Sequence, residues 1–528
     1  AAIMLIGMMV VSASAVSYND LTDKDQIVNK DAVSMLVSLG IIEGKPDGSY
    51  GPTENVDRAQ MAKMLSVIMN KGVDNSALYQ SVNSGLVDVN TNWAKGHINY
   101  CYTTGIIAGR GNGTFDPSAT VTALEAAKML LVAVGYDPAI EGFEGADWAI
   151  NVSVRADEQG IFEGFTKDLS APLNRDDAAL LIYNALDVEM IQSYTTNNYP
   201  IAYSDHRTIL ADKYGVIKVQ GVVVANEWAS LASDDGDAAL KEGKTTIYNG
   251  EGIFSTTGNT TVSKEDASLK TQTFNVSTPV DMLGKTVNLY IKKTTILADS
   301  TVYGDPVVSD VNTVVTTGET VLYSGAKDPQ VDYDKLLGEN GLTDKDAKYF
   351  WNYNSGKYIP NTTEKYGDKT ANVKGATLTI IDNNGDGEVD YVLSVEKALA
   401  DITSVNSKKE TVTVRTLGTL DNKDVVGYED MAKEDVVLYV QYGGRTYLEK
   451  PEVVTGEMEH FNVKGTEKYM TVGGEKYKAD ELETNARTEV VKFDVTECDK
   501  ANGVQFETSY NFYLDDYGNV IAFEEVEA

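Results

Sequence analysis

The chain has 528 residues, with 45 Lys and Arg against 79 Asp and Glu, and so a net charge of −34. A surface this acidic repels nucleic acid and anionic lipid, which argues against both as partners, and it favours divalent cations and solubility. With 42% hydrophobic residues the chain can build cores and is no acidic disordered tail, and its length suits three to five domains.

Residues 1–15, AAIMLIGMMVVSASA, are apolar and end in the small-residue run Ala13-Ser14-Ala15. This reads as a partial secretory signal peptide, so the mature chain is expected outside the cell. No other stretch approaches 20 apolar residues, so no transmembrane segment is expected.

A unit then recurs. GIIEGKPDGSYGPTENVDRAQ begins at Gly40, GIIAGRGNGTFDPSATVTALE at Gly105 and GIFEGFTKDLSAPLNRDD at Gly160. Self-similarity on this scale predicts stacked repeats, here at 18–72, 82–137 and 144–190. Each glycine follows a helical pattern and suits the left-handed residue that ends a helix. Asp47-Gly48 and Asn112-Gly113 signal turns. Asp57, Thr122 and Asn174 are N-caps of a second helix, with Gln60, Glu125 and Asp177 three residues on as in a capping box. Val56, Val121 and Leu173 precede the caps as apolar staples. Arg58 and Arg175 fall at the first helical position, where a cation opposes the helix dipole by about 0.3–1 kcal/mol. Two readings stand: solvated surface residues, or an anion site built with the backbone N–H groups of the helix end. In repeat two Ala123 occupies this position and Arg110 lies in the preceding loop.

These repeats resemble surface-layer homology domains. The resemblance rests on Tyr18-Asn19-Asp20 and Val87-Asp88, Trp93-Ala94 and Trp148-Ala149, the Gly-Ile-x-x-Gly runs, Gly-x-Phe-x-Pro, and Asp57-Arg58-Ala59-Gln60 with its counterparts at 122–125 and 174–177. It covers about the first 190 residues and implies an all-α, three-pronged bundle whose grooves bind pyruvylated secondary cell-wall polysaccharide on the peptidoglycan-associated wall. It departs from the family's pattern in repeat two, which has no arginine at 123, and in repeat three, which has no Gly-x-Phe-x-Pro. On that basis the ligand's carboxylate is expected to pair with Arg58 and Arg175, with Arg110 replacing the arginine absent from repeat two. Asp57, Thr122 and Asn174, at the helix ends, are expected to belong to the same polysaccharide-binding grooves. Trp93 and Trp148 read first as core residues and, through the resemblance, as platforms for a sugar ring. Arg58→Ala and Arg175→Ala are expected to weaken wall binding without unfolding the bundle.

After a linker at 191–215 the texture changes to Val, Thr and Tyr runs split by Gly, Asn and Asp, the pattern of strands. Tandem mainly-β modules, small barrels or sandwiches, are expected at 216–300, 301–395, 396–450 and 451–528. Tyr290, Tyr439 and Tyr513 share a Val-x-Tyr-like strand motif, and GKTTIYNGEGIFS resembles KYMTVGGEKYKADE. The region is similar in texture to the variable part of surface-layer-homology proteins of clostridia-like bacteria. In DNNGDGEVD, Asp382, Asn384, Asp386 and Asp390 take positions 1, 3, 5 and 9 of a calcium loop, with the Glu388 carbonyl available and no carboxylate at position 12. Either calcium binds there, or this is an acidic hairpin turn that needs no ion. Asp234-Asp235-Gly236-Asp237 and Asp515-Asp516 are weaker acidic candidates. No organic cofactor is expected.

Two cysteines, Cys101 and Cys498, are expected to be unpaired thiols. The three histidines lie in unrelated segments, and no HExxH, GxSxG, P-loop or paired CxxC occurs. Trp228 and Trp351 read as core. The expectation is a non-enzymatic, S-layer-like structural component of the cell surface, with further copies of itself in a surface lattice as a candidate partner; the alternative is a wall-anchored polysaccharide-acting enzyme or adhesin with its site in 216–528.

Overall fold

The computed structural model describes residues 18–232, 239–253, 269–292, 299–318, 321–322, 331–355, 376–465, 467–480 and 482–526. The leader-like residues 1–15 and the acidic run at 234–237 lie outside them. The chain divides into two units, one of residues up to 221 with 248–276 and 288–307, the other of 222–247, 277–287 and 308–528.

In the first unit each repeat supplies two helices: α1 (Lys30–Ser38) and α2 (Arg58–Met69), α3 (Lys95–Thr103) and α4 (Ala123–Val134), α5 (Trp148–Glu158) and α6 (Arg175–Leu186). Local signals set their ends. Asp57 and Gln60 form a reciprocal capping box, as do Thr122 and Glu125. Asn174 accepts the Asp177 N–H at 2.7 Å. Gly40, Gly105 and Gly160 take φ of 69°, 79° and 70°, so each turns the chain out of a helix where a side chain would be strained.

The pairing of helices runs between repeats. The first helix of one repeat packs on the second helix of the one before it: α3 on α2, α5 on α4, and α1 back on α6. One buried core results, with Leu36, Met61, Leu65, Ile98, Leu131, Leu181 and Ile182 inside. Residues 191–215, expected as a linker, instead form the antiparallel pair Ile191–Tyr194 with Pro200–Ala202 and a helical turn over Leu210–Tyr214. Ile209, Leu210 and Val216 are buried in the bundle's core, which is why this stretch is ordered.

Between α2 and α3, Ser66, His97 and Asp74 form a line. Ser66 Oγ lies 2.6 Å from His97 Nδ1, and His97 Nε2 lies 3.6 Å from Asp74. Ser66 and His97 are both buried, and Ser66 Oγ also donates to Lys63 O at 2.9 Å, so the line closes a helix contact and offers no substrate access. Burial holds the His97 pKa below its ordinary value, Asp74 opposing and Lys63 assisting. The unfolded chain, with an imidazole pKa of about 6.5, then binds the proton more readily. Stability conferred by neutral His97 is therefore present above that pH and lost as pH falls below it. Urea unfolding at pH 7 and pH 5.5 is expected to show a weaker first unit at the lower pH, and His97→Phe is expected to flatten that difference.

The rest of the chain is mainly β. Three sheets share one strand order: a long strand, a following hairpin on one side of it, and two later strands on the other. The long strands are Val216–Asn226, Ala398–Asn406 and Val453–Asn462. Their later neighbours Thr286–Lys292, Val436–Tyr442 and Ser509–Leu514 hold Tyr290, Tyr439 and Tyr513, so the repeated tyrosine motif marks one topological position. Thr245–Tyr248 and Tyr469–Val472, from the two similar phrases, are likewise both the strand next to the long one. A fourth sheet, built around Ala376–Asp382 and Tyr391–Glu396, carries the parallel neighbour Lys348–Trp351 and the helix α7 (Tyr333–Glu339). Cys101 and Cys498 are buried and unpaired, as expected, and burial pushes the Cys498 thiol up to about 12. Trp228 and Trp351 are half-buried.

Candidate functional site

The three staple residues meet at the centre of the bundle. Val56 N donates to Leu173 O at 2.8 Å, Leu173 N to Val121 O at 2.8 Å, and Val121 N to Val56 O at 2.9 Å, a closed ring with one residue from each repeat. Around it each second helix presents its N-terminus to the loop of the next repeat. Arg58 N and Ala59 N donate to Ala119 O and Pro117 O, Leu124 N to Leu169 O, and Arg175 N and Asp176 N to Glu54 O and Pro52 O. The N–H groups expected to face an anion are thus taken by carbonyls of the neighbouring repeat. Three wedges follow, each between a helix end and a loop.

In the wedge of repeats one and two, Arg58 is only 4% exposed, so the solvated-surface reading fails. Its guanidinium lies over the Phe115 ring at 4.4 Å, donates from Nε to Phe115 O at 2.8 Å and from Nη2 to Ala108 O at 3.0 Å. Burial and the nearby Arg110 hold its pKa below the usual range. In the wedge of repeats three and one, half-buried Arg175 lies over Tyr50 at 4.8 Å and donates to Tyr50 O at 2.9 Å, while Tyr50 Oη donates back to Arg175 O at 2.7 Å. Each arginine therefore leaves its own helix end and clamps the neighbouring loop, which removes its conflict with the helix dipole.

Arg110 was expected to replace the arginine absent from repeat two. Its position corrects this: Nη1 lies 3.0 Å from Glu125 Oε1, the same oxygen that stands 3.7 Å from Arg58 Nη1. It joins the wedge that already has an arginine, because its loop is the one Arg58 clamps. Lys128, one helical turn beyond Glu125, holds its ammonium 5.8 Å from the Trp148 ring centre and donates to Phe143 O at 2.5 Å. Burial lowers its pKa, and Arg58 adds to that. Arg58, Arg110, Lys128 and half-buried Trp148 thus form one neighbourhood. Trp93 is 58% exposed, against its core reading. It stands just before α3, outside the helical register that buries Ala94 and Ile98.

In the wedge of repeats two and three the position of Arg58 and Arg175 is taken by Ala123. Leu169 accepts the helix-end N–H as Pro52 and Pro117 do, so the position two residues earlier, Tyr50 and Phe115 in the other loops, is Lys167. Lys167 pairs with Asp177 of its own repeat at 2.5 Å, as Arg110 pairs with Glu125. The two departures noted in the sequence meet in this wedge: an arginine at 123 would face the Lys167 ammonium where its counterparts meet a ring. Ala123→Arg is expected to destabilise the bundle, and Lys167→Tyr to restore much of the loss. A double-mutant cycle in urea should give a favourable coupling of about 0.5–3 kcal/mol. Additive effects would refute the pairing.

Sequence reasoning named Asp88 as part of the repeat motif without its role, and missed Asp23; both carboxylates shape the loops. Asp88 accepts the N–H groups of Phe115 and Asp116, and Asp23 those of Tyr50 and Gly51. Both act across 27 residues, so the counterpart of Asp88 is Asp23 and not Asp20. Leu21 and Leu86, two residues before each, are both buried, and this Leu-x-Asp register was the available signal.

The calcium candidate is held from within. Asp382 is 1% exposed, and its carboxylate accepts N–H groups of Asn384 at 3.1 Å, Gly385 at 2.8 Å and Gly387 at 2.9 Å. Asn384 and Asp386 accept the N–H two residues on, Asp390 accepts Asn383 N, and Glu388 pairs with Lys345. Among the described residues no group of three or more His, Cys, Asp or Glu converges. These bonds shape the loop that joins Ala376–Asp382 to Tyr391–Glu396.

The S-layer homology domain matches residues 17–62 and 87–127. The chain is 28% identical to "Cell surface protein" of Thermoanaerobacter kivui over 253 residues, 47% of this chain and 30% of that protein. It is 33% identical to "S-layer protein" of Bacillus licheniformis over 113 residues, 21% of this chain and 12% of that protein. It is 29% identical to "Exoglucanase XynX" of Acetivibrio thermocellus over 192 residues, 34% of this chain and 17% of that protein. The chain spans less than a third of the length of these relatives. No helix among the described residues is long and apolar enough to cross a membrane. With two matched repeats and a third closing the same ring, the chain is a cell-surface protein that carries S-layer homology domains.

Proposed function

We propose that the helical unit anchors the protein to the bacterial cell wall by binding an anionic, pyruvate-bearing secondary polysaccharide, and that the β modules form a structural surface layer with further copies of the chain. The observation that carries this reading is a cation in every wedge, Arg58 with Arg110, Lys167, and Arg175, on a chain of net charge −34. Guanidinium groups suit a carboxylate because their N–H forks match its two oxygens. Arg58 is committed to Phe115 and Ala108, so the guanidinium open to ligand in its wedge is that of Arg110, 37% exposed. Trp148 beside Lys128 offers a ring face to the sugar. The β region is read as four structural modules rather than as an enzyme.

The test is a pull-down of the full chain on purified walls, with and without the secondary polymer. Arg110→Ala is expected to weaken binding at least tenfold, the effect of one lost charge-assisted contact of about 1.5–3 kcal/mol, with the unfolding midpoint unchanged. Equal retention by stripped walls, or an Arg110→Ala variant that binds as the parent does, would remove the proposal.

A further inference from the structure

The sheet built on Ala398–Asn406 closes on itself. Gly418–Asp421 and Val425–Val426 stand at opposite ends of its strand order, yet only the turn Asn422–Asp424 separates them in the chain. Joining the two ends rolls the sheet into a small barrel. Its inside is filled by Ala400, Ile402, Val412, Val414, Val437 and Leu448, so no ligand enters there. A cleft of about 530 Å³ opens instead at the closure, where Thr419, Asp421 and Asp424 face Gln441, Tyr442 and Arg445. That volume lies within the range of small-ligand sites, about 300–1,000 Å³.

The side chains on the hairpin are held before any ligand arrives. Arg445 donates from Nη1 to Glu227 O at 3.1 Å, and its guanidinium lies 5.3 Å from the Trp228 ring centre. Gln441 Nε2 donates to Oγ1 of buried Thr446 at 3.0 Å. The Tyr442 ring stacks on Tyr447 at 4.1 Å and 17°, and meets the edge of Tyr353 at 4.8 Å. Gly443 permits this packing, since a Cβ there would stand 1.9 Å from Trp228 O. Facing this hairpin, Asp421 and Asp424 are exposed acceptors, with Lys423 Nζ 3.7 Å from Asp421 Oδ2.

The lining selects a class of ligand. Carboxylate acceptors stand opposite guanidinium and amide donors, with a half-buried phenol ring between, a set that suits groups able both to donate and to accept. Hydroxyls do this and carboxylates or ammonium groups do not. Two aspartates on a strongly acidic chain oppose an anionic polymer, and Arg445 opposes a bare cation. We propose that the cleft bounded by Thr419, Asp421, Asp424, Gln441, Tyr442 and Arg445 binds a neutral, hydroxyl-rich saccharide. This site lies wholly in the second unit and stands or falls apart from the anchor.

The experiment is titration calorimetry of the full chain with neutral tetrasaccharides of glucose, galactose and N-acetylglucosamine, and with a uronic-acid tetrasaccharide. At least one neutral sugar is expected to bind with a Kd below about 1 mM, and the uronic-acid sugar at least tenfold more weakly. Asp424→Asn and Arg445→Met should each raise that Kd about tenfold. Arg445 also holds Glu227 O, so Thr419→Trp, on an exposed strand position, is the control that fills the cleft without touching the barrel core, and it should abolish binding. No neutral binding at about 10 mM, a preference for the uronic-acid sugar, or binding that survives Thr419→Trp would each overturn the proposal.

Discussion

Arg58→Ala is expected to lower the stability of the helical unit by about 2–4 kcal/mol, a structural loss where the sequence pattern alone implied only a binding loss. Truncation leaves Phe115 O and Ala108 O without the donors at 2.8 and 3.0 Å and empties the space over the Phe115 ring. Each hydrogen bond from a charged donor contributes about 1.5–3 kcal/mol, and a buried acceptor left unmatched adds its desolvation cost. Arg175→Ala removes one such bond from a half-buried position and is expected to cost about 1–2 kcal/mol. Urea titrations of the two variants followed by far-ultraviolet circular dichroism separate them. Equal midpoints would mean that the two clamps are equivalent and that burial of Arg58 has no energetic weight. Wall binding by Arg58→Ala must be read at a urea-free temperature where the bundle remains folded, since loss of fold and loss of contact would otherwise look alike.

Gly96→Ala is expected to destabilise by about 1–3 kcal/mol, the range for forced overpacking. The sign is the point of interest. Gly96 lies inside α3, and a helical Gly→Ala change ordinarily gains about 0.8–1.0 kcal/mol. Here a Cβ would stand 2.1 Å from Ser76 O and 2.7 Å from Ser76 C, in the short turn Ser76–Tyr79. Both contacts are backbone, so no side chain can swing away. Asn99, one turn on, donates to Tyr79 O and Val82 O at 2.9 Å and ties the same segment to the helix. A stabilised Gly96→Ala variant would show that this segment moves off α3 at little cost.

What the sequence disclosed depended on distance along the chain. Caps at Asp57, Thr122 and Asn174 act over three residues, and their residue types suffice to identify them. Arg58 acts over 50 and 57 residues, so its type and position suggested an anion site while its partners were invisible. The same holds for Lys167 and Ala123, which look like two unrelated defects until the wedge register joins them. The change from helical to strand periodicity near residue 190 was clear, but periodicity could not show that 191–215 packs, because the buried pair Ile209-Leu210 is too short a run to form a pattern. In the β region Tyr290, Tyr439 and Tyr513 hinted at related modules, and the shared strand order gives that hint its structural content. In the calcium-like loop the spacing of Asp382, Asn384 and Asp386 was legible, and its local content is a set of side chains that accept N–H groups two to five residues on.

The ring through Val56, Leu173 and Val121 has a consequence for how the repeats can be inherited and exchanged. In an open solenoid an end repeat has one neighbour, and copies can be added or shed there with a single interface disturbed. In a closed ring of three every repeat is an interior one. Deleting any copy breaks two of the three joints, and inserting a fourth requires all three to reopen. Copy number is therefore constrained by geometry, and a change at any joint, such as the one where Ala123 and Lys167 meet, falls on two repeats at once.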